Sequence, residues 1–503
     1  MKVVIRVDAS LHIGSGHVMR CLVLAEALKK QGYSIYFACL PQPCDMLSYI
    51  EGRDFHVLRL KAPNEPITPR YEADYSAWLQ RPELDDALDF VQVVGSADLV
   101  ITDHYAIGKA WQSHIQHALE CFVVAIDDLA REHDADLIID QTLGRDANDY
   151  VGRARPLVGS EYAMLAPNFA SLREFAYSRI QPKTKTKTKV LVSMGGIDNP
   201  NATLKSLKSL VGNVNAHFTV LLSPRAPHYQ EVKAWCQRQN EVQHQDFEAD
   251  MANLMLKHDI AIGAPGTTSW ERACLGLPSI LIPLADNQKM ICEQLIVHGA
   301  TLKVALDDID TQLLLTYQKV LSQWNDLYTS NLKLCDGLGT RRIALEIQQL
   351  VAPQLSSQLK LSLATHSDIR QVYEWQCHPN TREFALNRTV PTWEEHQNWM
   401  QRKLASNADF FYLVEDKVTG EKLGVLRLDR LEAKSYLVSI FVAPTSYGRG
   451  VATAALKMAD VIHSDLTLNA TVLKCNKASQ RLFQSAENYV QSGPETFIRH
   501  PIL

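Results

Sequence analysis

The first half of the chain alternates short apolar runs with amphipathic helical patterns. Val3–Val7, Ser34–Ala38, Leu99–Thr102, Phe122–Ile126 and Leu137–Asp140 read as strands. Helical periodicity fills the stretches between them, as at Val18–Gln31 and Ala110–Leu119. Such alternation predicts a parallel sheet covered by helices. The pattern restarts with strand-like segments at Lys189–Ser193, His217–Leu222, Ile260–Ile262 and Ser279–Pro283, and Asp307–Leu350 is mostly helical. Two such Rossmann-like lobes in tandem place a cleft between two sets of strand carboxyl ends, where open α/β sheets bind ligands. A third unit begins with the strand-like Leu359–Ala364 and runs to Leu503.

Two breaks in texture separate these units. Pro182–Lys189 is a Lys-Thr repeat, read as a solvated hinge in preference to a phosphate contact. Ala352–Gln358 reads as a second linker. The expected organisation is an α/β chain with a first lobe at 1–182, a second at 189–350 and an α/β domain at 358–503. A chain of 503 residues is too long for one core.

Composition narrows the classes. A net charge of −5 argues against a dedicated nucleic-acid binder. The 10 cysteines include no C-x-x-C pair, so neither a disulfide frame nor a metal site is expected. The first residues form a strand pattern, not a signal peptide, and no apolar run approaches the roughly 20 residues of a membrane helix. A cytoplasmic protein without membrane insertion is the expectation. The oligomeric state leaves no mark in the sequence.

The sharpest chemical feature is the stretch Asp8–Leu22, in which a strand runs into Gly14-Ser15-Gly16-His17 and then a helix. Glycines allow a tight turn and close ligand approach, and a helix amino terminus offers N–H groups to a diphosphate. The dipole should lower the pKa of His17 and keep it neutral near pH 7, able to take a proton from water. By itself the loop reads equally well as a turn carrying a structural histidine. Asp103-His104-Tyr105 follows the strand Leu99–Thr102, where an Asp cap is the alternative. Asp127-Asp128 also ends a strand and is read as capping, not metal binding.

The second half offers two further glycine loops. Gly195-Gly196 follows one strand. Gly266-Thr267-Thr268 opens a helix whose Glu271 is placed to accept both ribose hydroxyls or, alternatively, to cap the helix. Asn287 and Gln288 follow a third strand, where Asp286 can cap a helix.

The run Ile5–Ser10 with Ile13–Leu22 resembles the UDP-sugar hydrolases of pseudaminic acid biosynthesis, and the similarity extends over about Met1–Leu350. That family has the GT-B fold and is related in shape to the MurG-type glycosyltransferases. The resemblance implies His17 as the base that activates water, with Asp103 and Tyr105 at the active-site cleft. It also implies Gly14, Gly16, Gly195, Gly196, Gly266, Thr267, Thr268, Glu271, Asn287 and Gln288 around a UDP-sugar.

In the third unit, Tyr447-Gly448-Arg449-Gly450-Val451-Ala452 follows a strand at Lys434–Val442 and opens the helix Ala452–His463. The loop resembles the pyrophosphate loop of the GNAT acetyltransferases, with Tyr447 where Arg or Gln is usual. Such a turn forms an anion nest. Asn476 and Ser479 resemble the family's N-x-x-S segment. Trp375–Asn380, Arg382, His396 and Trp399 resemble the acceptor half of sugar N-acetyltransferases. Acetyl-CoA as co-substrate follows from this resemblance, with Ile440, Phe441 and Val442 pairing the pantetheine amides and Gly448 to Ala452 holding the pyrophosphate. Phe483 stands where many relatives carry a catalytic tyrosine, leaving Tyr489 as the substitute. Together the two resemblances imply hydrolysis of a UDP-diacetamido sugar and N-acetylation of its 4-amino precursor. The alternatives are a glycosyltransferase fused to an acetyltransferase for another surface sugar, and a nucleotide-sugar-binding lobe beside a working acetyltransferase.

Overall fold

The computed structural model describes residues 1–502 except 64, 72–73, 184–185, 286–287, 353–357 and 407. The chain divides into two compact units, Met1–Ile343 and Ala344–Leu503. The first unit holds two parallel sheets. One consists of β1 (Lys2–Val7), β2 (Ser34–Cys39), β3 (His56–Arg59), β4 (Leu99–Asp103), β5 (Phe122–Ile126), β6 (Leu137–Asp140) and β7 (Arg155–Val158). Its spatial order is β3-β2-β1-β4-β5-β6-β7. The other consists of β8 (Thr188–Ser193), β9 (Ala216–Leu221), β10 (Val242–Gln245), β11 (Ile260–Gly263), β12 (Ser279–Leu281) and β13 (Thr301–Lys303). Its order is β10-β9-β8-β11-β12-β13. Val3, Val4, Ile5, Val190, Val192, Ile260 and Ile262 are fully buried, as strands covered on both faces must be.

The chain order reverses direction between β1 and β4 in the first sheet, and between β8 and β11 in the second. Loops at such a switch point splay apart and open a crevice. The His17 loop follows β1, and Asp103 ends β4 opposite Val7. Gly195-Gly196 follows β8, and Gly266–Glu271 follows β11, where Ser193 pairs with Gly263. The His17 loop, Asp103–Tyr105, Gly195-Gly196 and Gly266–Glu271 therefore all stand at switch points.

Two boundaries differ in detail from the sequence expectation. The helix Pro167–Ala176 comes before the Lys-Thr run but packs with the second sheet. Phe169 and Ala176 share a core with Trp270 and Cys274, and Arg173 donates to the carbonyls of Cys274 and Cys335, each at 2.7 Å. The second division falls inside the helix Gly339–Val351. Its last turns bury Leu345 and hydrogen-bond Gln349 to Leu361, within the second unit. The linker residues 353–357 and Thr184-Lys185 lie outside the described residues.

Local capping fixes the helix that follows Gly195-Gly196. Asp198 accepts from the N–H groups of Ala202 and Thr203, both at 2.9 Å, at the start of the helix Ala202–Leu210. Asp198→Ala is expected to cost about 1 kcal/mol, read as a shift in the urea midpoint with the slope unchanged.

The second unit has one mixed sheet of β14 (Leu359–Leu363), β15 (Phe410–Asp416), β16 (Lys422–Glu432), β17 (Ser435–Val442), β18 (Thr467–Thr471), β19 (Val490–Gly493) and β20 (Thr496–Arg499). The order is β14-β15-β16-β17-β18-β20-β19, and β17 with β18 is its parallel pair. That pairing runs only from Ser435 opposite Thr467 to Val438 opposite Ala470, while β16 stays paired with β17 as far as Val442. The two parallel strands thus part after Val438. Among the described residues, no helix is long and apolar enough to cross a membrane.

Candidate functional sites

The first site is built on the helix Gly16–Lys30, which starts directly after the glycine turn. The turn is held by Ser10. Its carbonyl accepts from Gly14 N–H at 2.9 Å, and its hydroxyl oxygen accepts from His12 and Ile13 N–H at 3.3 and 3.2 Å. Gly14 has φ +77°, a conformation that favours glycine. Gly16 differs: its φ is not positive, and an added Cβ there would meet nothing within 4 Å. Neither backbone nor packing requires a glycine at Gly16.

His17 stands one position into that helix with its side chain 12% exposed. Its Nδ1 lies 2.6 Å from Asp103 Oδ1. Arg20, one turn later, donates from Nε to Asp103 Oδ2 at 2.6 Å and from Nη2 to Oδ1 at 2.7 Å. Burial alone would disfavour the Asp103 carboxylate, but the charges of Arg20 and then His17 prevail and hold its pKa well below the usual range. An ionised carboxylate can only accept, so Nδ1 of His17 carries the hydrogen. In the neutral ring Nε2 then keeps a lone pair.

Arg20 also donates from Nη1 to Asp128 Oδ2 at 2.6 Å, and the Tyr105 hydroxyl donates to the same oxygen at 2.9 Å. Burial, then Asp128, raises the Tyr105 pKa, so this phenol is a neutral donor. Its ring stands edge-on to His17 at 4.7 Å and stacks on Trp78 at 5.6 Å. Asp127 points elsewhere: it accepts from Arg131 N–H and Nε, and from the Tyr150 hydroxyl. The adjacent acids therefore act separately, one in the core and one beside His17. His104 is buried in a polar network, with Nε2 3.5 Å from Asp8 Oδ2, and burial lowers its pKa to about 4.

The second site lies on the second sheet. Gly195 has φ +91°, and an added Cβ would meet open space. At Gly196 an added Cβ would lie 3.1 Å from the Ser15 hydroxyl, so the glycine loops of the two lobes approach each other here. Gly266, with φ +152°, leads into the helix Thr267–Cys274, which begins at Thr267 and Thr268. Glu271 follows one turn later. Its Oε2 is buried with no hydrogen-bond partner among the described residues, and burial, opposed by Arg272, pushes its pKa up to about 7. Gln288 Oε1 accepts from Leu284 N–H at 2.8 Å, so this side chain braces its own loop. Asn287, expected as a sugar contact, lies outside the described residues, as does Asp286.

The third site is in the second unit. Because β17 and β18 part after Val438, the edge of β17 opposite β16 has no paired strand along Ser439–Val442 among the described residues. Gly448 and Gly450, with φ +77° and +74°, turn the chain into the helix Val451–Ile462, and an added Cβ at either would meet nothing within 4 Å. A Cβ at Gly424 of β16 would meet the Phe441 carbonyl at 2.9 Å and Val451 at 3.5 Å, so this glycine lets the helix seat on the sheet. Sequence reading missed it. Arg449 reaches Ser446 Oγ at 3.5 Å and Ala452 follows on the helix.

Asn476 is committed to a cap, its Oδ1 accepting from Ser479 N–H at 3.0 Å. Tyr489, expected as the catalytic substitute, is 7% exposed and packs edge-on to Phe483 at 5.1 Å in the domain core. Burial raises its pKa. Its hydroxyl is buried without a hydrogen-bond partner among the described residues. In the acceptor half, Arg382 ties its loop by donating to the carbonyls of Gln376 and Asn387 at 2.8 and 2.9 Å. His396 is buried, with rings of Tyr373, Trp393 and Trp399 around it.

Comparison with known proteins assigns these parts. Residues 190–336 match the glycosyltransferase family 28 C-terminal domain, and residues 358–487 match the acetyltransferase (GNAT) domain. An uncharacterized protein of Methanocaldococcus jannaschii is 22% identical over 96% of both chains. The spore coat polysaccharide biosynthesis protein SpsG of Bacillus subtilis is 25% identical over 41% of this chain and 61% of its own. The UDP-2,4-diacetamido-2,4,6-trideoxy-beta-L-altropyranose hydrolase of Campylobacter jejuni is 27% identical over 42% of this chain and 66% of its own. Among solved structures, Acinetobacter baumannii MurG covers 69% of this chain and 99% of its own, at 15% identity and a TM-score of 0.49. The Vibrio cholerae spermidine N-acetyltransferase in complex with CoA and spermine covers 27% and 84%, at 20% identity and a TM-score of 0.26. The chain is thus similar to a glycosyltransferase family 28 C-terminal domain over residues 190–336 and to a GNAT acetyltransferase domain over residues 358–487.

Proposed function

We propose that the first unit hydrolyses a UDP-sugar and that the second acetylates the amino group of a related UDP-4-amino sugar with acetyl-CoA. The observation that carries the hydrolase reading is the His17–Asp103 contact at 2.6 Å, beside a glycine turn that meets the glycine loop of the other lobe. UDP occupies the second lobe, its ribose on Glu271 and its diphosphate against Gly195-Gly196 and the helix opened by Thr267 and Thr268. The open space over Gly16 admits the sugar. Nε2 of His17 takes a proton from water, and the water oxygen bonds to the anomeric carbon. The bond from that carbon to the β-phosphate oxygen breaks, and its electron pair leaves with UDP. The unpaired Oε2 of Glu271 supports the ribose contact, because a buried acceptor without a donor is costly unless a ligand supplies one.

For the transferase, the free edge of Ser439–Val442 would pair the pantetheine amides, and the Gly448–Ala452 turn would hold the pyrophosphate. The two reactions join when the acetylated sugar nucleotide is the substrate of the hydrolase, and one chain then raises the local concentration of the intermediate. The Campylobacter relative's name supports a 2,4-diacetamido-2,4,6-trideoxy sugar. The test is incubation of the full chain with the UDP-4-amino precursor, with and without acetyl-CoA, reading products by mass. Acetylated free sugar and UDP are expected only with acetyl-CoA; failure to release UDP under either condition sinks the hydrolase. The match to a glycosyltransferase model favours one rival, a saccharide hydroxyl in place of water. UDP release that depends on an added saccharide acceptor would select it.

The Glu271 assignment has a pH signature. Its carboxyl, with a pKa of about 7, accepts from two hydroxyls only when ionised. UDP affinity should therefore rise from pH 6 to pH 8, by up to about tenfold. Glu271→Gln should bind more weakly and lose that part of the slope, as measured by calorimetry on both proteins; parallel profiles would remove Glu271 from the ribose site.

A further inference from the structure

We propose that Arg225 is the cation that binds the diphosphate of the nucleotide sugar and holds the charge that develops on departing UDP. The proposal rests on the nucleotide-sugar reading above. Arg225 lies in the turn after β9, and β9 neighbours β8 in the sheet. The loops after these two strands therefore emerge side by side at the cleft.

The turn is fixed. Arg225 N–H donates to Ser223 Oγ at 3.2 Å, Ala226 N–H donates to the Ser223 carbonyl at 2.9 Å, and Ala226 is buried. From this base the guanidinium reaches back over the glycine loop. Nη2 lies 3.7 Å from where a Cβ of Gly196 would stand, and the Ser15 hydroxyl lies 3.1 Å from the same point. Nη1 donates to the carbonyl of Cys44, in the first lobe, at 3.3 Å. Arg225, Ser15 and Gly196 thus converge where the two glycine loops meet.

Charge balance makes the assignment specific. Near His17 the site presents Asp103 and Asp128, which a diphosphate must approach. Three arginines near these acids are already neutralised: Arg20 by Asp103 and Asp128, Arg131 by Asp127, and Arg145 by Asp140. Arg225, where the two glycine loops meet, donates to a carbonyl instead. A carbonyl contact at 3.3 Å is readily exchanged for a charge-assisted bond to phosphate. When the bond from the anomeric carbon to the β-phosphate oxygen breaks, UDP gains a negative charge, so the same contact strengthens toward the transition state.

The test is calorimetry on the full chain with two probes, UDP and uridine, for the wild type, Arg225→Ala and Arg225→Lys. Wild type is expected to bind both. Arg225→Ala should weaken UDP binding by about 10- to 100-fold and leave uridine within about twofold, with Arg225→Lys between. Arg225→Ala should also lower kcat for UDP release. If wild type binds UDP and Arg225→Ala binds it equally well, the proposal is wrong. If the variant loses UDP and uridine alike, Arg225 is only a clasp between the lobes, and the proposal is again wrong. If wild type fails to bind UDP, the nucleotide-sugar reading falls and takes this proposal with it.

Discussion

Replacing His17 with alanine is expected to slow UDP release from the sugar nucleotide by about 10²- to 10⁴-fold, the range over which a positioned general base acts. UDP binding should stay nearly unchanged, because the nucleotide contacts lie on the second lobe. The effect should fall on kcat and on kcat/KM together, which marks an interaction made in the transition state. His17 sits at a helix start with its side chain partly exposed, so its loss leaves little cavity. Steady-state kinetics of UDP release, paired with UDP calorimetry, check this. Activity that survives undiminished with UDP binding intact would remove His17 from the mechanism.

Asp103→Asn is expected to have an effect of the same order, for a different reason. The carboxylate at 2.6 Å obliges Nδ1 of His17 to carry the hydrogen, so in the neutral ring Nε2 is the nitrogen that accepts. An asparagine amide can instead donate to Nδ1, which moves the hydrogen to Nε2 and removes the base. A loss of about 10²- to 10⁴-fold follows, as for tautomer-setting acids in other enzymes. Arg20 would then keep Asp128 as its one anionic partner among those described here. The variant should still bind UDP, which shows that the second lobe is folded. A variant that binds UDP and hydrolyses at the wild-type rate would mean that Asp103 does not set the state of His17.

The interior of both parallel sheets was legible because strands buried on both faces are apolar throughout. Phe122–Ile126 and Leu137–Asp140 have the bounds expected, and Val3–Val7 gains only Lys2. The strands overlooked in these lobes, β3, β7, β10 and β13, are all sheet edges. His56–Arg59 is half polar, Val242–Gln245 is mostly polar, and Arg155–Val158 carries a proline, so none holds a long apolar run. Edge strands are one-sided, and a pattern search for buried strands passes over them.

The site was legible where function loads the local sequence. The glycine turn with His17, the glycine pair after β8 and Glu271 one turn into its helix are all local patterns. Arg20 was missed although it lies three residues from His17, on the same helix face, a spacing that by itself suggests contact. Asp128 was out of reach in a different way. Its partners are 23 and 108 residues away in the chain, and only the adjacency of the sheet ends brings them together. Tyr489 is a third case. A slip in register was assumed to carry a tyrosine into the place of Phe483, but both rings pack side by side in the core.

The fused arrangement stands or falls on hydrolysis at the anomeric carbon. The most direct measurement is the reaction of the full chain with the diacetamido UDP-sugar in water enriched in oxygen-18, with the mass of the released UDP as readout. Attack of a His17-activated water on carbon leaves the bridging oxygen with UDP, so unlabelled UDP is expected, together with free sugar in the absence of any acceptor. UDP carrying oxygen-18 would place the attack on phosphorus, and an absence of UDP release would deny the hydrolase; either result contradicts the chemistry assigned to the cleft.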